Sequence, residues 1–107
     1  MKDENSHEWI KIQDDIATIG ISLYVKEEFG DIFNIKLPSV GDKIEKGKEA
    51  CVLETGKSAI EIPSPYDGEI VEINEKLKED LNDLNEDPED RGWLFKIKVQ
   101  IENLEKD

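Results

Sequence analysis

The chain has few of the residues that disulfides, zinc sites or membrane helices require. Its single cysteine, Cys51, cannot form an internal disulfide, and its single histidine, His7, leaves no Cys/His set with zinc-ligand spacing. No apolar run approaches the ~18 residues of a membrane span, and residues 1–7 lack the apolar stretch of a signal peptide. These absences predict a cytoplasmic protein with no metal, disulfide or membrane span.

Basic residues are also scarce: 14 Lys and Arg stand against 27 Asp and Glu among 107 residues, a net charge of -13. Nucleic acid binding needs clustered Lys and Arg, and an anionic membrane surface repels a chain of this charge. Two interpretations of the charge stay open. It steers the protein toward basic patches on protein partners, or it only maintains solubility.

The sequence contains no set of residues typical of an enzyme active site. It has no Ser/His/Asp combination and no dinucleotide-binding glycine pattern. Gly56-Lys57-Ser58 matches only the end of the phosphate-binding motif G-x-x-x-x-G-K-[ST]. Cys51 stands where that motif requires glycine, and a strand-like pattern follows the lysine where the motif requires a helix. We therefore predict that the chain is not an enzyme.

Short alternating segments separated by turn residues dominate the chain and predict a mainly β fold. Seven segments have strand periodicity: residues 8–12, 15–21, 32–37, 49–54, 58–62, 69–73 and 92–101. Turn residues that recur about every ten positions favour a sandwich or barrel. A Pro-x-x-Gly pattern occurs at Pro38 and again at Pro65, which favours a doubled hairpin.

The helical content is predicted to be small. Ser22 can N-cap a helix over residues 23–29, and Gly30 stands where a C-cap glycine belongs. Leu23 and Phe29 are predicted to face inward from this helix, and residues 78–84 form a further turn or two. The length suits one domain over residues 1–107, in which residues 101–107 form a frayed tail.

Lys57 lies at the point where two apolar strands meet. Gly56 and Lys57 can occupy the centre of a type II′ hairpin turn, because glycine is favoured at its first central position. This places the Lys57 side chain in solvent at the apex, where an enzyme could acylate its amine and build a flexible arm on a rigid base. On spacing alone, an ordinary surface lysine in a hairpin is the favoured interpretation.

The order and spacing of several motifs resemble the H-protein family of the glycine cleavage system over nearly the whole length of the chain. The motifs are Ser6-His7-Glu8-Trp9, residues 17–22, Phe29-Gly30-Asp31-Ile32, Leu37-Pro38-x-x-Gly41-Asp42, Glu54-x-x-Lys57, Pro65-x-x-Gly68-Glu69, Asn85-Glu86-Asp87-Pro88 and Gly92-Trp93-Leu94. The resemblance implies a barrel-sandwich hybrid of the lipoyl/biotinyl-carrier type. It also implies that lipoate is covalently attached to Lys57.

The same resemblance implies the partners. The lipoylated carrier would shuttle an aminomethyl group from glycine between glycine decarboxylase, an aminomethyltransferase and dihydrolipoamide dehydrogenase. A lipoate ligase or a lipoyl/octanoyl transferase would attach the group. The absence of a long apolar edge favours a monomer.

Resemblance to the family also implies a cleft that shields the loaded arm. Its matching positions here are Ser6, Glu8 and Glu61, whose oxygens would accept hydrogen bonds from a cationic amine. Glu61 stands where the family commonly has aspartate. Without the resemblance, Glu8 and Glu61 are interpreted as residues on solvated strand faces.

Three departures from the family pattern keep two alternatives open. Gly56 replaces an apolar or small branched residue, Glu27 and Glu28 replace a histidine-bearing turn, and the sequence ends soon after Val99 where the family has a further helix. One alternative is an H-like lipoyl carrier of another system, either lipoate-linked ADP-ribosylation in a redox response or sulfur oxidation. The other is an unmodified β-rich interaction module.

Overall fold

The computed structural model describes residues 8–100 and confirms a mainly β fold. Within this range the chain forms eight strands and two short α-helices: β1 Glu8–Gln13, β2 Ile16–Ile21, α1 Leu23–Phe29, β3 Ile32–Lys36, β4 Lys43–Ile44, β5 Glu49–Thr55, β6 Ala59–Pro63, β7 Gly68–Ile73, α2 Asn82–Glu86 and β8 Phe95–Lys98. The predicted tail over residues 101–107 lies outside the described residues, and the single-domain boundaries stay a prediction.

The strands form two antiparallel sheets packed face to face. One has the order β1-β2-β8-β7-β4, and the other has the order β3-β5-β6. Alternate residues of both sheets turn inward, as the period of two requires, and Leu53 and Ile62 from the small sheet meet Ile19 and Phe95 from the large one in a single buried cluster. This architecture confirms the expected barrel-sandwich hybrid.

The two Pro-x-x-Gly segments pair with each other across the fold. Strand β4 runs antiparallel to β7, so that Ile44 lies opposite Gly68. The pairing extends into the first segment, because the Gly41 N–H donates to the Ile70 carbonyl and the Ile70 N–H donates to the Asp42 carbonyl, both at 2.8 Å. The two equivalent Pro-x-x-Gly segments of the predicted doubled hairpin are thus joined by backbone hydrogen bonds.

The alternation predicted over residues 92–101 is confirmed from Phe95 to Val99, although strand β8 itself covers only Phe95–Lys98. Phe95, Ile97 and Val99 are buried, while Lys98 is exposed. Cys51 also belongs to the core, since its thiol is buried in the same cluster. Burial raises the pKa of the Cys51 thiol to about 12, with a further contribution from the nearby Glu49 charge. This thiol is therefore a packing residue and not a nucleophile.

Helix α1 has its predicted bounds but differs at its start. Ser22 has the extended backbone of an N-cap, yet its side chain makes no capping hydrogen bond. Leu23 was predicted to face inward and is 48% exposed, because Val25 takes the buried position instead. Phe29 does pack against the core. Gly30 is the C-cap, and its N–H donates to the Lys26 carbonyl at 2.9 Å.

The second predicted helix is displaced. A 3-10 turn covers Glu75–Lys78 and α2 covers Asn82–Glu86, so the predicted helix over residues 78–84 is wrong in its bounds. Leu77 and Leu84 each bury their side chains against the core, and this packing sets where the two short turns lie. None of the helices over residues 8–100 is long and apolar enough to cross a membrane.

Candidate functional site

The β5–β6 hairpin carries the candidate attachment lysine. Strands β5 and β6 anchor in the core through side chains that are almost wholly buried: Cys51, Leu53, Thr55, Ile60 and Ile62. The three residues that join the strands, numbers 56–58, are exposed. A rigid base therefore presents a short exposed tip with Lys57 at its centre, as the sequence predicts.

The tip is held by the Thr55 side chain, which corrects the predicted turn. The Thr55 hydroxyl donates to the Ser58 carbonyl at 3.0 Å and accepts from the N–H groups of Lys57 at 3.2 Å and Ser58 at 3.1 Å. Gly56 is not among the glycines with positive φ, so the tip is not the predicted type II′ turn. The side chain replaces the backbone carbonyl of Thr55 as the acceptor, an arrangement that needs no left-handed residue.

Removing the Thr55 hydroxyl is expected to loosen the tip. Thr55→Val keeps the buried volume and leaves the Lys57 and Ser58 N–H groups without their acceptor, at a cost of about 1 kcal/mol in the free energy of unfolding. Amide hydrogen exchange at Lys57 and Ser58 should then be faster. Thr55→Ser retains the hydroxyl and is the matched control. Equal exchange rates in Thr55→Val and the unsubstituted chain would contradict this role.

The Lys57 amine is exposed but contacts helix α1. The sequence predicted that this side chain points into solvent, with nothing nearby to bury it. In the structure Lys57 Nζ donates to the Glu28 carbonyl oxygen at 3.0 Å. Glu28 belongs to the last turn of α1, whose carbonyl groups carry the partial negative charge of the helix end. The amine therefore remains accessible to a modifying enzyme while it is oriented toward this helix.

The other predicted site residues lie on different elements. Glu61 is on the exposed face of β6, opposite Val52 and four residues from Lys57, a span of about 13 Å along a strand. Glu8 is the first residue of β1 and lies opposite Ile21. Ile21 is the last residue of β2, shortly before helix α1 begins. Ser6 lies outside the described residues. The structure thus places Glu61 on the hairpin strand that carries the tip, and Glu8 near the start of the helix whose end holds Lys57.

Over residues 8–100, neither a metal-ligand cluster nor the cavity beside the β1–β2 turn coincides with the hairpin tip. Among residues 8–100 there is no group of three His, Cys, Asp or Glu residues that could hold a metal ion. A surface cavity of about 1140 Å³ lies beside the β1–β2 turn, and its lining includes Asp15, Lys43 and Lys98 but no residue of the tip. A covalent group needs an exposed amine on a rigid base, and Lys57 meets this requirement.

Sequence reasoning missed two residues that position the tip. Thr55 was identifiable, because a threonine can bond the N–H groups two and three residues ahead of it in a turn. Asn85 gave no local signal, since its partner Ile32 is 53 residues away. Its amide bonds both backbone groups of Ile32, at 2.8 and 3.0 Å, and so fixes the start of β3 beside Thr55.

Comparisons with known proteins agree on one family. Residues 1–107 match the family model described as "Glycine cleavage H-protein". A glycine cleavage system H protein of Thermotoga maritima is 41% identical over 97 residues, covering 91% of this chain and 78% of its own length. That of Alcanivorax borkumensis is 44% identical over 98 residues, covering 92% and 77%. The crystal structure of a glycine cleavage system H protein from Mycobacterium marinum superposes with a TM-score of 0.82 at 30% identity, covering 88% of this chain and 79% of that one.

Proposed function

Since this chain belongs to the glycine cleavage H-protein family, we propose that Lys57 is the residue to which its lipoyl group is attached. The chain is a lipoyl carrier subunit of the glycine cleavage system. The observation that supports Lys57 is its position at the exposed centre of a tip whose two strands are anchored in the core. Within the described residues, the only other lysine that follows a glycine is Lys48, in the turn before β5.

The geometry of the hairpin suits a swinging arm. Lipoate, when bound, would supply a reversible disulfide at the end of a long flexible chain. The hairpin contributes a fixed point of attachment, because the buried Thr55 side chain makes three hydrogen bonds to the tip through its hydroxyl. The four methylenes of Lys57 contribute reach and rotation. The rest of the chain holds this point in place and need not touch the reacting atoms of a partner enzyme.

Glu8, Glu61 and Ser6 are proposed to shield a cationic amine carried on the arm. Glu61 is exposed and acidic, and it lies on β6 four residues after Lys57, a span of about 13 Å for an extended chain. A carboxylate oxygen bonds a cationic amine more strongly than a neutral acceptor does. The proposal gives Glu61 the role of acceptor, with Glu8 and Ser6 as further acceptors on the first strand and its preceding residues.

The proposed partners are the glycine decarboxylase, the aminomethyltransferase and the dihydrolipoamide dehydrogenase, together with the enzyme that attaches lipoate. The net charge of -13 supports docking onto basic surfaces of such partners, because opposite charges steer association. A cytoplasmic monomer is the proposed state of the carrier. Its sedimentation and cell fractionation would test these two points.

The partner assignment is tested with the protein in its lipoylated and unmodified forms. Lipoylated chain added to glycine decarboxylase is expected to support glycine-dependent exchange of labelled bicarbonate, and the unmodified chain is expected to support at most a trace. In the same system, Glu61→Gln should shorten the lifetime of the loaded carrier. A fully lipoylated chain that supports no exchange would contradict the partners but not the attachment to Lys57, and would favour an H-like carrier of another system.

A further inference from the structure

Helix α1 ends on a backbone conformation that only glycine adopts readily. Gly30 has φ 83° and ψ -157°, a region that residues with a Cβ avoid. Its N–H closes the last turn by donating to the Lys26 carbonyl at 2.9 Å. The chain then turns away and enters β3 at Ile32, which lies opposite Thr55. Gly30 therefore brings the end of α1 next to the tip that carries Lys57.

This change of direction leaves the Glu28 carbonyl open to another donor. In a continued helix the Ile32 N–H would bond to the Glu28 carbonyl, four residues earlier. Here the Ile32 N–H donates to Asn85 Oδ1 at 2.8 Å instead. The Glu28 oxygen accepts the Lys57 amine at 3.0 Å in place of a helical N–H. A carbonyl at a helix end and the attachment lysine thus satisfy each other.

We propose that the Glu28 carbonyl holds the Lys57 ε-nitrogen after lipoylation as well as before it, with Gly30 and Asn85 as the residues that position this carbonyl. The inference rests on the proposed lipoylation of Lys57. Acylation removes the positive charge of the amine but leaves one N–H, which is enough for this hydrogen bond. The new amide is planar and trans, so its carbonyl and N–H point in opposite directions.

This hydrogen bond would fix the direction in which the lipoyl arm leaves Lys57. If the amide N–H points at Glu28, the acyl carbonyl points away from helix α1, and the first bond of the lipoyl chain has a fixed direction. The arm then rotates about bonds beyond the amide and not about the whole lysine side chain. A fixed origin of this kind reduces the volume that the distal end explores and favours the partner surfaces on one side of the tip.

The test measures the side-chain amide of Lys57 in the lipoylated full-length chain. Lysine labelled with 15N at the ε position makes this amide visible by NMR, and its hydrogen exchange is compared with that of free Nε-lipoyl-lysine. One net hydrogen bond should slow exchange by about 2- to 10-fold. Gly30→Ala should remove most of this protection, because alanine disfavours the positive φ that positions the Glu28 carbonyl. A Cβ at position 30 meets no atom within 4 Å, so the effect comes from the strained φ alone.

Gly47→Ala is the matched control. Gly47 has φ 88° and likewise open space around a Cβ, but it lies in the turn before β5, away from α1. It should keep the Lys57 protection. An unprotected amide in the unsubstituted chain, or equal loss in the two variants, would overturn the inference. Peptide mass mapping of the same sample reports the lipoyl adduct, so its absence from Lys57 contradicts the proposed function, while an adduct with an unprotected amide contradicts only this inference.

Discussion

Lys57→Arg is expected to abolish lipoylation completely. Arginine keeps the positive charge and most of the length of the side chain, but its guanidinium is not acylated by an enzyme that forms an amide on a lysine amine. The tip itself should be unaffected, since the hydrogen bonds to Thr55 use the backbone N–H of residue 57. Intact-mass measurement after incubation with a lipoate ligase and lipoate would show the adduct on the unsubstituted chain and none on the variant.

Lys48→Arg is a matched control for this prediction. Lys48 follows Gly47 in an exposed turn at the start of β5, just as Lys57 follows Gly56 at its end. It lacks the tip geometry, because its N–H bonds to the Glu45 carbonyl and no threonine hydroxyl holds it. The variant should be modified to the same extent as the unsubstituted chain. An adduct that persists in Lys57→Arg would place the attachment elsewhere.

Gly68→Ala is expected to cost about 3 kcal/mol or more in the free energy of unfolding, near the upper end for overpacked cores. A Cβ at this position would lie 2.3 Å from the Lys98 carbonyl oxygen and 2.8 Å from the Cγ1 atom of Ile97. The carbonyl belongs to the backbone of β8, which is paired with β2 on its other side and cannot move aside. The midpoint of thermal unfolding, Tm, should therefore be lower by about 12 °C or more.

Gly56→Ala provides the comparison. No atom lies within 4 Å of a Cβ at position 56, and φ there is not positive, so the free energy of unfolding should change by less than about 0.5 kcal/mol. The pair isolates the effect of the close backbone approach at Gly68, because position 56 has neither strain nor crowding. Equal stability of both variants would show that β7 and β8 separate more easily than their packing indicates.

Lys57 on a hairpin tip could be predicted from the sequence because the information is local. Two alternating apolar segments separated by Gly56-Lys57-Ser58 require a short connection, and the strand period of two fixes which residues turn inward. The same local rules predicted the bounds of α1 and the buried face of β8. The error at the tip was also local. Type II′ geometry was inferred from glycine, and the adjacent Thr55 hydroxyl was not considered as the acceptor.

Contacts between distant segments could not be predicted in this way. The bond from Lys57 to Glu28 joins residues 29 positions apart, and Asn85 reaches Ile32 across 53 positions. Leu23 was wrongly placed in the core because helical spacing offers more than one inward face, and the packing of Val25 against the two sheets selects one. Such choices depend on which elements become neighbours.

The sequence by itself determined the strand pattern, the family and the lysine at the hairpin tip, since each depends on the order of residues within short segments. The tertiary structure decided what surrounds that lysine. It brought the end of α1 beside the tip through Gly30 and assigned the Ile32 N–H to Asn85. It thereby left the Glu28 carbonyl to the amine of Lys57. These contacts exist only when the two sheets have packed, because the groups that form them are far apart in the chain.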